Sequence, residues 1–381
     1  MKRLVWCFYS TLLLALPHPA LAALDCPGPG KPVLVALPGN PFSAVPSGDG
    51  CWVFVSLSDG HGHGSVAVLH DAQGSFALVR TVVSRAAFGE ALSPDGQVLA
   101  VTVRDGVDLL DVARLEQPAA DPLIAHLRDD DAGPVYDIIS HDNRLLFVSD
   151  EGSHHLSVFN LTLARSPQYR GDAFIGDIPT GLAPVGLALS PDGMWLYATS
   201  EVAPRSPGLT NRCAPEDARE RYHPLGALEK IDVTKAATEP RGSVVTAVPA
   251  GCTPVRVAVS PSGKTLWVTS RGDNALLGIP AAALEVGQGQ LKTESFAIGT
   301  QPVGVAVRPD GKQVWVTLSA RFESGKSGGL AGVNGIDGSG HIELMSAPAS
   351  GFPRNLTFLP DGRTLVVTLF GSRAVEFMPT P

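Results

Sequence analysis

The chain has 381 residues, with 29 Lys and Arg against 37 Asp and Glu for a formal charge of −8, and with 41 Gly and 32 Pro. The acidic balance excludes general nucleic-acid binding, which needs a basic footprint. Abundant Val, Leu and Ala among so many turn residues exclude a disordered chain, and the length exceeds an ordinary single domain unless repeats build it.

Residues 1–22 read as a secretory leader. Lys2 and Arg3 precede an apolar run from Leu4 to Leu16, and Ala20-Leu21-Ala22 supplies a small-x-small cleavage pattern. The run is too short for a membrane span, and no other stretch of the mature chain could cross a bilayer. Cleavage removes Cys7 and leaves Cys26, Cys51, Cys213 and Cys252, with 27 bases and 37 acids for a charge of −10. Asp25 argues against a lipid anchor on Cys26. Four cysteines in an exported chain favour two disulfides, and the expected location is periplasmic or secreted.

After the leader, "PVLVALPGNPF" (32–42) looks like a strand without a sheet of its own. A recurring unit then begins. Its copies are "AVPSGDGCWVFVSL" (44–57), "EALSPDGQVLAVTV" (90–103), "DIISHDNRLLFVSD" (137–150), "LALSPDGMWLYATS" (187–200), "VAVSPSGKTLWVTS" (257–270), "VAVRPDGKQVWVTL" (305–318) and "LTFLPDGRTLVVTL" (356–369). Successive turns are 46, 47, 50, 70, 48 and 51 residues apart. Each copy is a strand, a Pro-Asp-Gly-type turn and a second strand rich in Val, Leu, Trp or Tyr. Third and fourth strands follow, as in "ALEKIDV" (227–233) and "SVVTAVPAG" (243–251). Seven such units predict an all-β, seven-bladed β-propeller with four-stranded antiparallel blades, occupying residues 23–381 as one domain. The seventh copy has three strands, ending at "AVEFM" (374–378), so residues 32–42 are expected to complete it and close the ring.

The copies resemble the YVTN-type propeller repeat, roughly P-x-G-V-A-V-S-P-D-G-x-x-L-Y-V-T-N, over nearly all of residues 32–378. The repeat is also similar to those of lactonase-type propellers and of amine dehydrogenase heavy subunits. The resemblance implies the fold; propellers host many chemistries, so it leaves function open.

Counting back from each turn places a ring of residues where the inner strands enter: Ser43, Gly89, Tyr136, Gly186, Arg256, Gly304 and Asn355. The repeat prefers Gly there, so Tyr136, Arg256 and Asn355 are departures. Glu90 and Asp137 stand one step deeper, where other copies are apolar, and Arg354 adds a cation. Polar groups among packed strands need partners or water, so a hydrated mouth is expected here, able to hold an anion through its arginines. Glu90 and Asp137 are the candidate catalytic carboxyls; Tyr136, Arg256, Arg354, Asn355, Arg271 and Arg321 are the candidate ligand contacts. The loops joining second to third strands add Asp150, Glu151, His154, His155, Asp273, Asn274 and Arg373. Loops 201–225 and 319–330 are long enough to be lids or partner surfaces. Asp59, His61 and His63 are the one metal-like cluster, but Gly60, Gly62 and Gly64 mark an exposed turn, and no metal or other cofactor is assigned.

No nucleophile, phosphate-loop or dinucleotide signature is present. The Ser-Pro-Asp-Gly carboxylates recur as turn chemistry. The expectation is a monomeric exported binding protein for a small anionic molecule or a protein partner. The alternative is a lactonase-like hydrolase or isomerase, and a third is an electron-transfer accessory. Blade geometry pairs the cysteines as Cys26–Cys51 on the turn-bearing face and Cys213–Cys252 at the opposite mouth.

Overall fold

The computed structural model of the chain describes residues 26, 28–59, 62–129, 132–168, 171–204, 213–214, 223–285, 292–321, 328–336, 338, 342–349 and 351–380. The expected leader at 1–22 therefore lies outside the described residues. So do His61, Arg205, Arg212, Arg219, Arg221, Tyr222, Phe322 and Lys326 of the candidate loops.

Each turn folds as its residues dictate. The turn Ser accepts the N–H five residues on, as from Val98 to Ser93 at 2.9 Å and from Trp195 to Ser190 at 3.0 Å. The Asp accepts the N–H two residues on, as from Met194 to Asp192 at 3.0 Å and from Lys312 to Asp310 at 3.0 Å. A left-handed residue completes each turn, such as Gly193 at φ 70°, with Asn143 at φ 61° standing in for Gly in the third copy.

Seven four-stranded antiparallel sheets result. Their inner strands are Asn40–Pro46, Ala87–Leu92, Pro134–Ile139, Leu182–Leu189, Pro254–Val259, Pro302–Val307 and Pro353–Phe358, numbered here as blades 1 to 7. Val33–Ala36 pairs with Ala374–Pro379 as the outermost strand of blade 7, so the N-terminal strand closes the ring. The hydrophobic core is divided among seven clusters, one at each seam between blades. At the closing seam Val35, Val53, Val375 and Phe377 share one cluster, and Phe76 stacks on Phe377 at 4.0 Å.

Both disulfides join the expected partners. Cys26 and Cys51 have Cα atoms 5.0 Å apart, and Cys213 and Cys252 5.4 Å. The long loop of blade 4 is pinched where Cys213 and His223 exchange backbone hydrogen bonds at 3.0 and 3.2 Å. Among the described residues no helix is long and apolar enough to cross a membrane.

Candidate functional site

Where the chain enters each inner strand, six blades carry a proline and blade 2 carries Ala87. In every blade the pairing register slips immediately afterwards, as between Pro134 and Tyr136, Pro254 and Val257, and Pro353 and Asn355. Proline cannot donate to the ladder, and the resulting bulge re-aims the next side chains away from the pleat. Seven bulges at one height create the channel mouth.

A Ser or Thr nine residues after each turn start binds the inner strands together. Thr199 donates to the Val255 carbonyl at 3.0 Å, Thr269 to Val303 at 2.8 Å, Thr317 to Arg354 at 3.2 Å and Thr368 to Phe42 at 3.5 Å, each reaching the next blade. Ser149 reaches Val185 at 3.5 Å, and Ser56 donates to the Phe88 carbonyl. Ser149, Thr269 and Thr368 also donate within their own blades, to the Tyr136, Arg256 and Asn355 carbonyls at 3.2, 3.4 and 3.3 Å, whereas Thr102 donates only within its own, to Gly89 at 3.2 Å. Six seams are thus bridged, and among the described residues the seam between blades 2 and 3 has no such hydroxyl bridge.

The glycines of the entrance ring are set by this close approach. A Cβ on Gly186 would lie 2.6 Å from Thr199 Oγ1, 2.6 Å from the Val255 carbonyl and 2.9 Å from Arg256 Cα. From Gly89 to Asn355 small and large residues consequently alternate around the ring, and Ser43 adds a second small residue beside Gly89. Gly186→Ala is expected to cost about 1–3 kcal/mol through overpacking and to displace Arg256. Equilibrium denaturation checks it, and an unchanged midpoint would show that the strands can part freely.

The larger ring residues have defined partners. Arg256 donates from Nη1 to the Val185 carbonyl at 2.8 Å, and its guanidinium carbon lies 4.5 Å from the Tyr136 ring centre. Asn355 donates to Ser43 Oγ at 3.0 Å across the closing seam. The hydrated mouth expected from sequence does not hold for Glu90, Asp137 and Arg256, which are 2%, 1% and 8% exposed. The position one step deeper faces the seam cores, as Leu187 and Val257 do in their own blades. Among the described residues none of the four carboxyl oxygens of Glu90 and Asp137 makes a hydrogen bond, although the Ser56 main chain lies near enough to Glu90 to lower its pKa slightly against the effect of burial. Burial holds both carboxyls well above their ordinary range, and the proximity of Asp137 raises Glu90 further. Burial likewise raises the Tyr136 hydroxyl.

Arg354 is a cation that, among the described residues, meets no acceptor. Its guanidinium carbon stacks 3.7 Å from the Phe42 ring centre and lies 5.7 Å from those of Phe352 and Phe370. Its Nε is enclosed without an acceptor, and among the described residues no carboxylate or carbonyl pairs with its side chain. Burial, and then Arg256 and Arg321, push its pKa down to about 9. Arg271 stands within the same field, paired with Glu201 at 3.1 Å, and Arg321 lies 5.7 Å from the Phe352 ring. The structure therefore draws Arg256, Arg271, Arg321 and Arg354 around one mouth, with Glu151 and Glu201 as the nearby acids.

Several other rim candidates brace the ring. His154 Nδ1 meets the Ala183 N–H at 3.2 Å, Asn274 accepts from Gln301 N–H at 2.7 Å, and Asp273 accepts from Cys252 N–H at 2.7 Å. His155 sits between Asp150 at 3.5 Å and Asp177 at 3.3 Å. Asp150 is pushed up to about 8, by burial and then by Asp129. Sequence reasoning missed Glu229, a buried carboxyl in blade 4 that accepts from Gly181 N–H at 3.0 Å and Ser200 Oγ at 2.9 Å. His63 pairs with Asp59 at 3.1 Å in an exposed turn. Among the described residues no three His, Cys, Asp or Glu side chains are arranged to hold a metal ion.

The chain matches no protein-family model and no curated protein sequence. Among solved structures it is similar to a chain of hydrazine synthase from Kuenenia stuttgartiensis, at TM-score 0.62 and 20% identity, covering 90% of this chain and 96% of that one. It is also similar to the β-propeller domain of Cps50 (Swd1) from Myceliophteria thermophila, at TM-score 0.61 and 12% identity, covering 90% and 97%. Identities this low establish a shared seven-bladed fold and carry no activity across.

Proposed function

We propose that this chain is an exported, single-domain propeller of the YVTN-repeat type, spanning residues 23–381 after loss of its leader, that binds an anionic group at the channel mouth. Arg354 is the observation that carries this reading. A half-buried guanidinium without an acceptor is costly, and an incoming carboxylate would satisfy its planar fork. Arg256, Arg271, Arg321, Tyr136 and Asn355 shape the surroundings, and the anion belongs to a small molecule or to a protein partner. Two disulfides accord with a periplasmic or secreted location.

The lactonase-like alternative draws on Glu90 and Asp137. Both are held towards the protonated form, which suits a general acid and not the base that this alternative requires. Binding is therefore the favoured reading.

The test is thermal denaturation of wild type and Arg354→Ala with a panel of carboxylates. A ligand at 100 times its Kd adds about 2.7 kcal/mol to wild type, and the variant should lose that gain while remaining folded. A stabilisation undiminished in Arg354→Ala would remove the mouth as the site.

A further inference from the structure

The first residue after the inlet proline in each inner strand forms a collar about the channel axis. Val185, Val255 and Val303 meet there in a cluster of their own, separate from the seven seam clusters. Only side chains turned towards the axis can join three consecutive inner strands in this way. The same offset holds Phe42, Phe88 and Val135 in blades 1 to 3, and Arg354 in blade 7. The collar is thus six apolar residues and one cation.

The surroundings of that cation are aromatic. Phe42 covers one face of the guanidinium and packs edge-on against Phe88 at 5.3 Å. Phe352 and Phe370 pack together at 5.5 Å on the rim beside Arg354. Phe88, Phe352 and Phe370 are each only half-buried, so aromatic surface remains open to solvent next to the unpaired charge. A small, strongly hydrated anion such as acetate would use the guanidinium and leave this surface unused. A carboxylate attached to a ring would use both, since apolar contact adds to charge pairing.

We infer that the mouth recognises a carboxylate carried on a flat apolar body, the carboxylate on Arg354 and the body against the half-buried Phe352–Phe370 pair. This rests on the reading of Arg354 as an anion receptor. The same chemistry is offered by a free aromatic acid and by a chain ending in an aromatic residue.

Calorimetric titration of the intact protein at pH 7 with acetate, phenylacetate and 2-phenylethanol tests it. Phenylacetate should bind at least tenfold more tightly than either of the other two. Phe370→Ala, at a half-exposed position, should weaken phenylacetate several-fold and leave acetate unchanged. Equal affinities for acetate and phenylacetate would overturn the inference and leave anion binding intact. Equal affinities for phenylacetate and 2-phenylethanol would overturn it by removing the role of charge, and no binding of either acid would remove the anion receptor as well. A short peptide ending in Phe, as free acid, identifies the source. Tighter binding than phenylacetate supports the inference with a protein terminus as ligand, and weaker binding supports it with a small acid.

Discussion

Replacing Glu90 by Gln and Asp137 by Asn together is expected to stabilise the protein at pH 8 by about 1–3 kcal/mol for each carboxyl and to change nothing near pH 4. Both side chains are enclosed on adjacent inner strands, and among the described residues none of their four oxygens makes a hydrogen bond. Their folded-state pKa values are raised, so the native chain keeps protons that the unfolded chain has released. The native state binds more protons, and stability must fall as pH rises. The loss begins near the ordinary carboxyl range, about pH 4, and ends once pH has passed the folded values. Asp150 and Glu229, pushed up to about 8 and about 7, act with the same sign and should leave a residual slope in the double variant. Denaturation midpoints at pH 4.5, 6 and 8 provide the check. Identical pH profiles for wild type and variant would mean that the two carboxyls are solvated or paired after all.

Removing the Cys26–Cys51 disulfide by a double Ser substitution is expected to cost about 3 kcal/mol, on the chain-entropy scale for a loop of this size. The bridge spans 25 residues and fastens the segment ahead of the closing strand to the turn of blade 1. Val33–Ala36 has only four residues of pairing with Ala374–Pro379, so its local stability depends on that tether and on the seam cluster around Val35 and Phe377. Hydrogen exchange should therefore accelerate first in Val33–Ala36 and along its partner strand. An unchanged melting temperature together with unchanged protection at Val35 would show that the seam closes by packing alone.

The turn carried most of the fold in the sequence. A Pro-Asp-Gly-type turn recurring at 46–70-residue spacing marks a hairpin at each copy, and seven hairpins with a leftover strand admit one closed arrangement. The same register placed Arg256 and Arg354 at the mouth, because offset from a turn translates directly into height along an inner strand. Offset says nothing of depth, so Glu90 and Asp137 were expected in water. The bulge that orients Val185, Val255, Val303 and Arg354 has no residue signature beyond its preceding proline. The Ser or Thr nine residues after each turn start was visible in all seven copies but reads as an ordinary strand residue until its neighbour's carbonyl is in view. Three short helical turns, Val112–Leu115, Leu161–Ala164 and Val233–Ala236, are too brief to show a 3.6-residue period, although their caps Asp111, Asn160 and Asp232 stand in the sequence.

The hydroxyl bridges between blades join the inner strands in a hoop stitched at six of its seven seams. Six joints fix the distance between main chains, so the aperture is insensitive to which side chains stand on the collar, and its chemistry can be exchanged without reshaping the barrel beneath. The seventh joint, where Thr102 donates to Gly89 of its own blade, has no hydroxyl bridge among the described residues and lies beside Glu90 and Asp137. The main chains are held there by close approach instead, since a Cβ on Gly89 would lie 2.6 Å from Tyr136 Cα and 2.7 Å from the Val135 carbonyl, so that seam depends on glycine where the other six depend on a hydroxyl.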